Sequence, residues 1–423
     1  MTDSIFSRYA FSISVAAAML AGCEGSQPPI GGPGAMAQSR ALVPRSAGRN
    51  YTVLYSFGAS PDGDAPRASL VDDGGTLYGT TGQGGANACG NSSGYFGCGT
   101  VFSITTAGKE KVLYSFGVPP DGNEPRASLI DAGGTLYGTT ESGGSYTCVN
   151  DSQYFGCGTV FGVTTSGSES VVHRFAGGEN DGLEPEAPLI AAKGTLYGTT
   201  YAGGTRHGGT VFSVTTGGTE KLLHGFSGHG DGPTAGLVDA NGTLYGTTSG
   251  GGPHHDGTVF SITLAGKVRV LHSFNGADGK EPHGSLLDVK GTLYGTTADG
   301  GSNGDGTVFS ITTGGTERVL HSFAGYPRSD GAYPVAGLVD VNGTLYGTTS
   351  GGGGTSCGGT VGCGTVFSVT TSGTEKVLHR FNSHNGTDGA SPLAGLIDVS
   401  GTLYGTTFAG GSNGNGTVFA MKP

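Results

Sequence analysis

Past residue 50 the chain is a succession of short apolar runs, each five to seven residues long, broken by clusters of Gly, Asn, Asp and Ser. The same runs return seven times. GTLYGTT begins at Gly75, Gly134, Gly194, Gly242, Gly291, Gly343 and Gly401. GTVF begins at Gly99, Gly158, Gly209, Gly257, Gly306, Gly364 and Gly416. A third run of the form VLHSF ends at Phe57, Phe116, Phe175, Phe226, Phe274, Phe323 and Phe381. In the unit 284–323, GSLLD (284–288), GTLYGTT (291–297), GTVFSIT (306–312) and ERVLHSF (317–323) read as four strands A to D. Their period-two alternation and turn-rich separators are strand and hairpin signals, and no helical period appears.

Four antiparallel strands repeated every 48–60 residues predict an all-β, seven-bladed β-propeller. A β-solenoid, the competing repeat architecture, needs shorter coils of more regular length. The ends of the array favour the propeller. A lone D-type run, 51–57, precedes the first unit, and the last unit stops after its C run, GTVFAMKP. Seven of each strand exist only if the N-terminal run completes the last blade. That exchange seals a ring and leaves no open sheet edge, whereas a linear stack gains nothing from it. A ring closed in this way is expected to stand as a monomer.

The B–C loops divide into two classes. Four of them, 201–208, 249–256, 298–305 and 408–415, have eight residues each; 82–98, 141–157 and 350–363 are longer. Each longer loop, and no other, carries a cysteine pair: Cys89/Cys98, Cys148/Cys157 and Cys357/Cys363. Six cysteines permit fifteen pairings, but confinement to separate blades favours the three local ones. Free thiols are disfavoured by export, and zinc is disfavoured because the pairs sit on different blades without a nearby histidine. Such short loops predict about 2–3 kcal/mol of stabilisation per disulfide. Two of the loops contain YFGCG, putting Tyr95, Phe96, Tyr154 and Phe155 on the elaborated face as candidates for glycan or protein binding. Alternatively, these rings fold inward as the core of a Gly-rich loop.

The D–A connections share an Asp-Gly pair at Asp62, Asp121, Asp181, Asp231, Asp278, Asp330 and Asp388, six of them followed by Pro at i+4. One reading is a ring of carboxylates near the axial mouth that attracts Ca²⁺ or another hard cation. The other is an Asx-type turn, which recurrence in every unit favours. Histidine stands in strand D at His173, His224, His272, His321 and His379, with Tyr114 and Tyr55 in the equivalent places. One such residue per outer strand reads as packing. His254, His255 and Asp256 in one B–C loop could touch a metal adventitiously.

Residues 10–20 form one apolar run, too short to span a bilayer and placed like a signal segment. It ends in Leu20-Ala21-Gly22-Cys23, which resembles a bacterial lipobox. Residues 1–22 are therefore expected to be a lipoprotein signal peptide. Cys23 is expected to be the acylated new N-terminus, and 23–50, rich in Gly, Pro, Ser and Ala, a flexible tether for the propeller at 51–423. Glu24 in place of an inner-membrane retention Asp favours the outer membrane. The rest of the composition agrees with export: 87 glycines without a collagen period, 13% charged residues and a net charge of −11. Asp3 and Arg8 cancel within the leader, so the mature chain keeps that charge. With no basic cluster to offset it, nucleic acid is excluded as a partner.

The order of small residue, apolar strand, GTLYGTT, Gly-rich loop, GTVFSIT and hydrophobic last strand resembles blades of quinoprotein-type propellers. More specifically, it is similar to the exported tandem-repeat family of the Gloeobacter/Verrucomicrobia (GloVer) type, from residue 51 to the end. That resemblance implies a propeller-like fold and attachment to the envelope by varying anchors, and no established activity. No Trp is available to stack on a quinone cofactor, so cofactor binding is not carried over and none is expected.

No Ser/His/Asp set, close carboxylate pair or metal-ligand spacing stands out from what repetition explains. The expected function is an envelope-anchored, non-catalytic binding or scaffold protein that recognises a protein or polysaccharide through the B–C/D–A loop face. The alternative is a cation-dependent hydrolase or lyase acting at the axial funnel. A third reading is an envelope-assembly lipoprotein that pairs strands with a client.

Overall fold

In the computed structural model the described residues are 50–423, without 92–93, 146–147, 149–155, 228–231, 326–329, 355–356, 358–361 and 384–385, and without the side chains of 90–91 and 94–96. The chain forms seven four-stranded antiparallel sheets, each ordered A-B-C-D, with no α-helix among the described residues. In the first blade the strands are Val71–Asp73, Thr76–Thr81, Thr100–Thr105 and Glu110–Ser115. In the seventh, Ile397–Val399, Thr402–Thr407 and Thr417–Met421 are completed by Tyr51–Ser56, which pairs antiparallel with the last strand. The predicted closure is what forms. A strands of successive blades are neighbours around the ring, and that of the seventh lies beside that of the first. Strand A is therefore innermost and strand D outermost.

Each repeated string has a packing reason. The Phe that ends strand D meets the GTVF Phe of the next blade edge to face, as in Phe57–Phe102 (5.2 Å), Phe175–Phe212 (5.0 Å) and Phe381–Phe419 (5.4 Å). Burying each such ring contributes about 1.5–3 kcal/mol, and the edge-to-face geometry adds about 0.5–1.5 kcal/mol. The Gly of GTLYGTT makes room for this ring: a Cβ on Gly295 would lie 2.6 Å from Phe309 Cζ. The first Thr after that Gly donates to a carbonyl of the following blade, Thr80 to Ala127 O at 3.1 Å and, closing the ring, Thr406 to Ala68 O at 3.1 Å. The second Thr pairs with the GTVF Thr across strands, as in Thr297 with Thr307 at 2.8 Å.

Strand A departs from expectation. In the fifth blade it runs Leu287–Val289 rather than 284–288. The residues before it crowd against the neighbouring blades near the axis, where Ser285 Oγ accepts the Gly236 N–H at 2.9 Å and Ser128 Oγ the Ser69 N–H at 2.9 Å. Small side chains are required there: a Cβ on Gly284 would meet Ala336 O at 2.6 Å. Pairings between loops, which no sequence pattern announces, add to the sheets. Gly63–Asp64 of a D–A connection pairs with Gln83–Gly84 of a B–C loop, which puts both connections on one face.

Candidate functional site

The repeated aspartates build the frame of that face. Asp62 Oδ1 accepts the Gly63 N–H at 2.7 Å, while Oδ2 accepts the Gly58 N–H at 2.5 Å and the Tyr55 hydroxyl at 2.8 Å. Asp121 does the same with Gly122, Gly117 and Tyr114. Asp278, Asp330 and Asp388 instead meet His272, His321 and His379 at 3.1, 3.3 and 3.3 Å. His173 Nε2 stands 3.8 Å from Asp181. Asp231 lies outside the described residues. The described aspartates are thus tied to the outermost strand D, not arrayed around the axial mouth. Their carboxylates take backbone N–H groups from the following Gly or from three to six residues back, as Asp181 does from Gly182 and Ala176, rather than the i+2 N–H of an Asx-type turn. The strand-D histidines do pack, each edge-on to the Phe two positions later, but His272, His321 and His379 also hold an aspartate, a link that is not visible along the chain.

A third residue joins this rim junction: the first residue of strand D in the next blade. It is Glu110, Glu169, Glu220, Glu317 or Glu375. Burial, reinforced by the neighbouring aspartate, pushes the Glu110, Glu169, Glu317 and Glu375 carboxyls up to about 7 and Glu220 to about 6. Burial also works on Asp330, but the bonds it receives from His321 and Gly331 hold its pKa below the usual carboxylate value. His254 and His255 are exposed, and among the described residues no third ligand group joins them.

The three predicted disulfides are present, Cys89–Cys98, Cys148–Cys157 and Cys357–Cys363, with Cα–Cα distances of 5.1, 5.2 and 5.3 Å. Cys98, Cys157 and Cys363 are fully buried and extend the core between blades. Each also receives, on its carbonyl, the N–H of a residue at the inner end of the next D–A connection: Glu124, Glu184 and Ser391. Of the YFGCG aromatics, Tyr95 and Phe96 lie on a backbone hairpin, Ala88–Asn91 with Gly94–Gly97, with side chains outside the description. Tyr154 and Phe155 fall outside the described residues, as does Cys23.

The residues anchored by these carbonyls lead to the axial mouth. Each precedes a buried Pro, and two of the side chains after those Pro, Arg126 and Glu186, touch across neighbouring blades, which only residues near the axis can do. Around the ring this position reads Arg67, Arg126, Glu186, Thr234, His283, Val335 and Leu393. Arg126 binds Glu124 at 2.9 Å and Glu186 at 3.2 Å. The buried Glu141 carboxylate lies 2.5 Å from Arg126 Nε without a hydrogen bond. Thr234 and His283 pair at 2.9 Å. Burial opposes the Arg126 charge, but Glu141, Glu186 and Glu124 raise its pKa above the usual guanidinium value. Burial drives the Glu141 carboxyl well up despite Arg126.

Arg67 is different. Its guanidinium lies over the Phe408 ring, 4.6 Å from the centroid, and among the described residues no carboxylate comes within ion-pair distance. Burial and then the neighbouring Arg126 lower its pKa. The mouth therefore has a charged sector in blades one to three and an apolar one at Val335, Leu393 and Phe408. None of these positions stood out as a candidate in the sequence, where the Pro reads as a turn feature alone. Divergence between otherwise uniform repeats, at the residue after each Pro, was the available signal.

Comparison with known proteins agrees with the architecture. An oligogalacturonate lyase from Vibrio parahaemolyticus superposes with a TM-score of 0.50 at 10% identity, over 88% of this chain and 93% of its own. A gluconolactonase from Xanthomonas campestris gives 0.39 at 14% identity, over 63% and 79%. The first likeness, at 10% identity, shows the propeller fold alone, and the second carries no argument. No curated protein matches the chain. The Gloeobacter/Verrucomicrobia repeat model matches residues 43–146, 91–228 and 145–361, so the chain belongs to the Gloeobacter/Verrucomicrobia repeat family.

Proposed function

We propose that the protein is a non-catalytic binding module of the cell envelope that holds a sparsely acidic polysaccharide at its axial mouth. The observation that carries this reading is Arg67, a half-buried guanidinium stacked on Phe408 and without a carboxylate partner among the described residues. A desolvated cation beside a second arginine gains most from an anionic group brought by a ligand. A dense polyanion is repelled by the net charge of −11, whereas isolated uronate sugars among neutral ones fit both facts.

The disulfides agree with an oxidising, extracytoplasmic setting, and no helix among the described residues is long and apolar enough to cross a membrane. Acylation at Cys23 completes the reading: radiolabelled palmitate should enter the wild type and not Cys23→Ser.

Binding is tested with a uronate-bearing heteropolysaccharide and its carboxyl-reduced form. The wild type should retain the acidic form at least tenfold better, and Arg67→Ala should lose the difference. Equal retention of the two forms overturns the reading. Release of new reducing ends or unsaturated uronate during the assay would turn it toward the hydrolase or lyase alternative. A cation serving that alternative would need ligands at the mouth, and the repeated aspartates stand at the rim.

A further inference from the structure

We propose that three junctions between blades are binding sites for a divalent first-row transition-metal ion: His173/Asp181/Glu220, His272/Asp278/Glu317 and His321/Asp330/Glu375. In each, the histidine comes from strand D of one blade, the aspartate from the D–A loop after it, and the glutamate from the start of strand D in the next blade. One ligand atom from each of the three lies within 4.8 Å of the others. Three side chains from two blades thus converge on one point at the outer rim.

A second observation shows that these groups lack something. One carboxylate oxygen of Glu220, of Glu317 and of Glu375 is sealed from solvent without a hydrogen-bond partner, and so is His173 Nε2. A buried polar atom left unpaired is costly, and it stands beside a second carboxylate. A cation between the carboxylates and the imidazole satisfies all three. The donor set of one imidazole nitrogen and two carboxylates suits zinc, manganese or iron. It does not suit Ca²⁺, which takes six to eight oxygen ligands.

The other four junctions supply internal controls. Tyr55 and Tyr114 replace the histidine beside Glu110 and Glu169, and each phenol already donates to its aspartate. Those glutamates also have an unpartnered buried oxygen, but no imidazole faces it. Val268 replaces the glutamate next to His224, and Tyr51 replaces it next to His379, donating to Asp388 at 2.8 Å. Three ions per chain are therefore expected rather than seven.

The test is equilibrium dialysis of the chelator-stripped protein against Zn²⁺ at neutral pH, with metal counted by elemental analysis and melting followed in parallel. The wild type should bind three Zn²⁺ per chain and melt higher with metal. His272→Tyr, which installs the residue two other junctions carry, should keep the metal-free melting temperature and lower the count by one. Glu317→Gln should lower it by one as well. No saturable binding, or a count that either variant leaves unchanged, overturns the proposal. The second outcome includes an ion held at the exposed His254/His255 pair.

Discussion

Between the blades all seven repeats are alike; at the axial mouth only the first two share a residue. The edge-to-face Phe pair, the Gly behind it and the two threonines recur without exception, because every blade must present the same surface to its neighbour for the ring to close. The position after the mouth Pro runs through two arginines, a glutamate, Thr, His, Val and Leu. Nothing in closure constrains it, since these side chains stand at the mouth and are only half-buried. In a repeat protein, uniformity marks what holds the ring and divergence marks where a ligand can be read. The rim junctions are intermediate, with a common plan and three departures from it, Tyr for His, Val for Glu and Tyr for Glu.

The comparison breaks if the uniform positions prove dispensable. Phe309→Ala should destabilise the protein by about 3–5 kcal/mol, measured by urea unfolding. A loss below 1 kcal/mol would deny the Phe pairs their role. Gly295→Ala comes next, since its Cβ would stand 2.6 Å from Phe309 Cζ; overpacking of this kind costs about 1–3 kcal/mol.

At the rim, pH sharpens the contrast. Glu110 and Glu169 are held at about 7 in the folded chain, against an ordinary value of 4.5. The folded state thus keeps protons that the unfolded state releases, so their favourable contribution is complete below pH 4.5 and disappears as pH rises through 7. Melting temperatures taken in chelator from pH 4.5 to 8 should decline, and Glu110→Gln/Glu169→Gln should flatten that decline. Parallel curves would refute the assignment. The smallest effect belongs to the mouth. Leu393→Arg should leave stability within about 0.5 kcal/mol, and a larger loss would show the divergent ring to be structural after all.

Most of the fold could be read along the chain. Strand identity is local chemistry, and the β-branched and aromatic alternation in GTVFSIT has one extended solution. The misplacement of strand A, expected at 284–288 and found at Leu287–Val289, has a nonlocal cause: its first residues are set by crowding against Gly236 and Ala336 of other blades. The candidate site was less legible for the same reason. Cysteine pairing follows from proximity in sequence, but Arg126 meets Glu186 sixty positions away and Glu141 through a different strand.

Sequence alone determined the number of blades, the identity of their strands, the closing exchange at Tyr51–Ser56 and the three disulfides, because each follows from repetition or from neighbours in the chain. Only the tertiary structure decided that the described aspartates belong to the rim with His or Tyr and, at five junctions, a glutamate from the next blade, and that Arg67 stands at the mouth without a described carboxylate. Both depend on which side chains meet when seven copies are rotated about one axis, a relation that repetition implies without specifying.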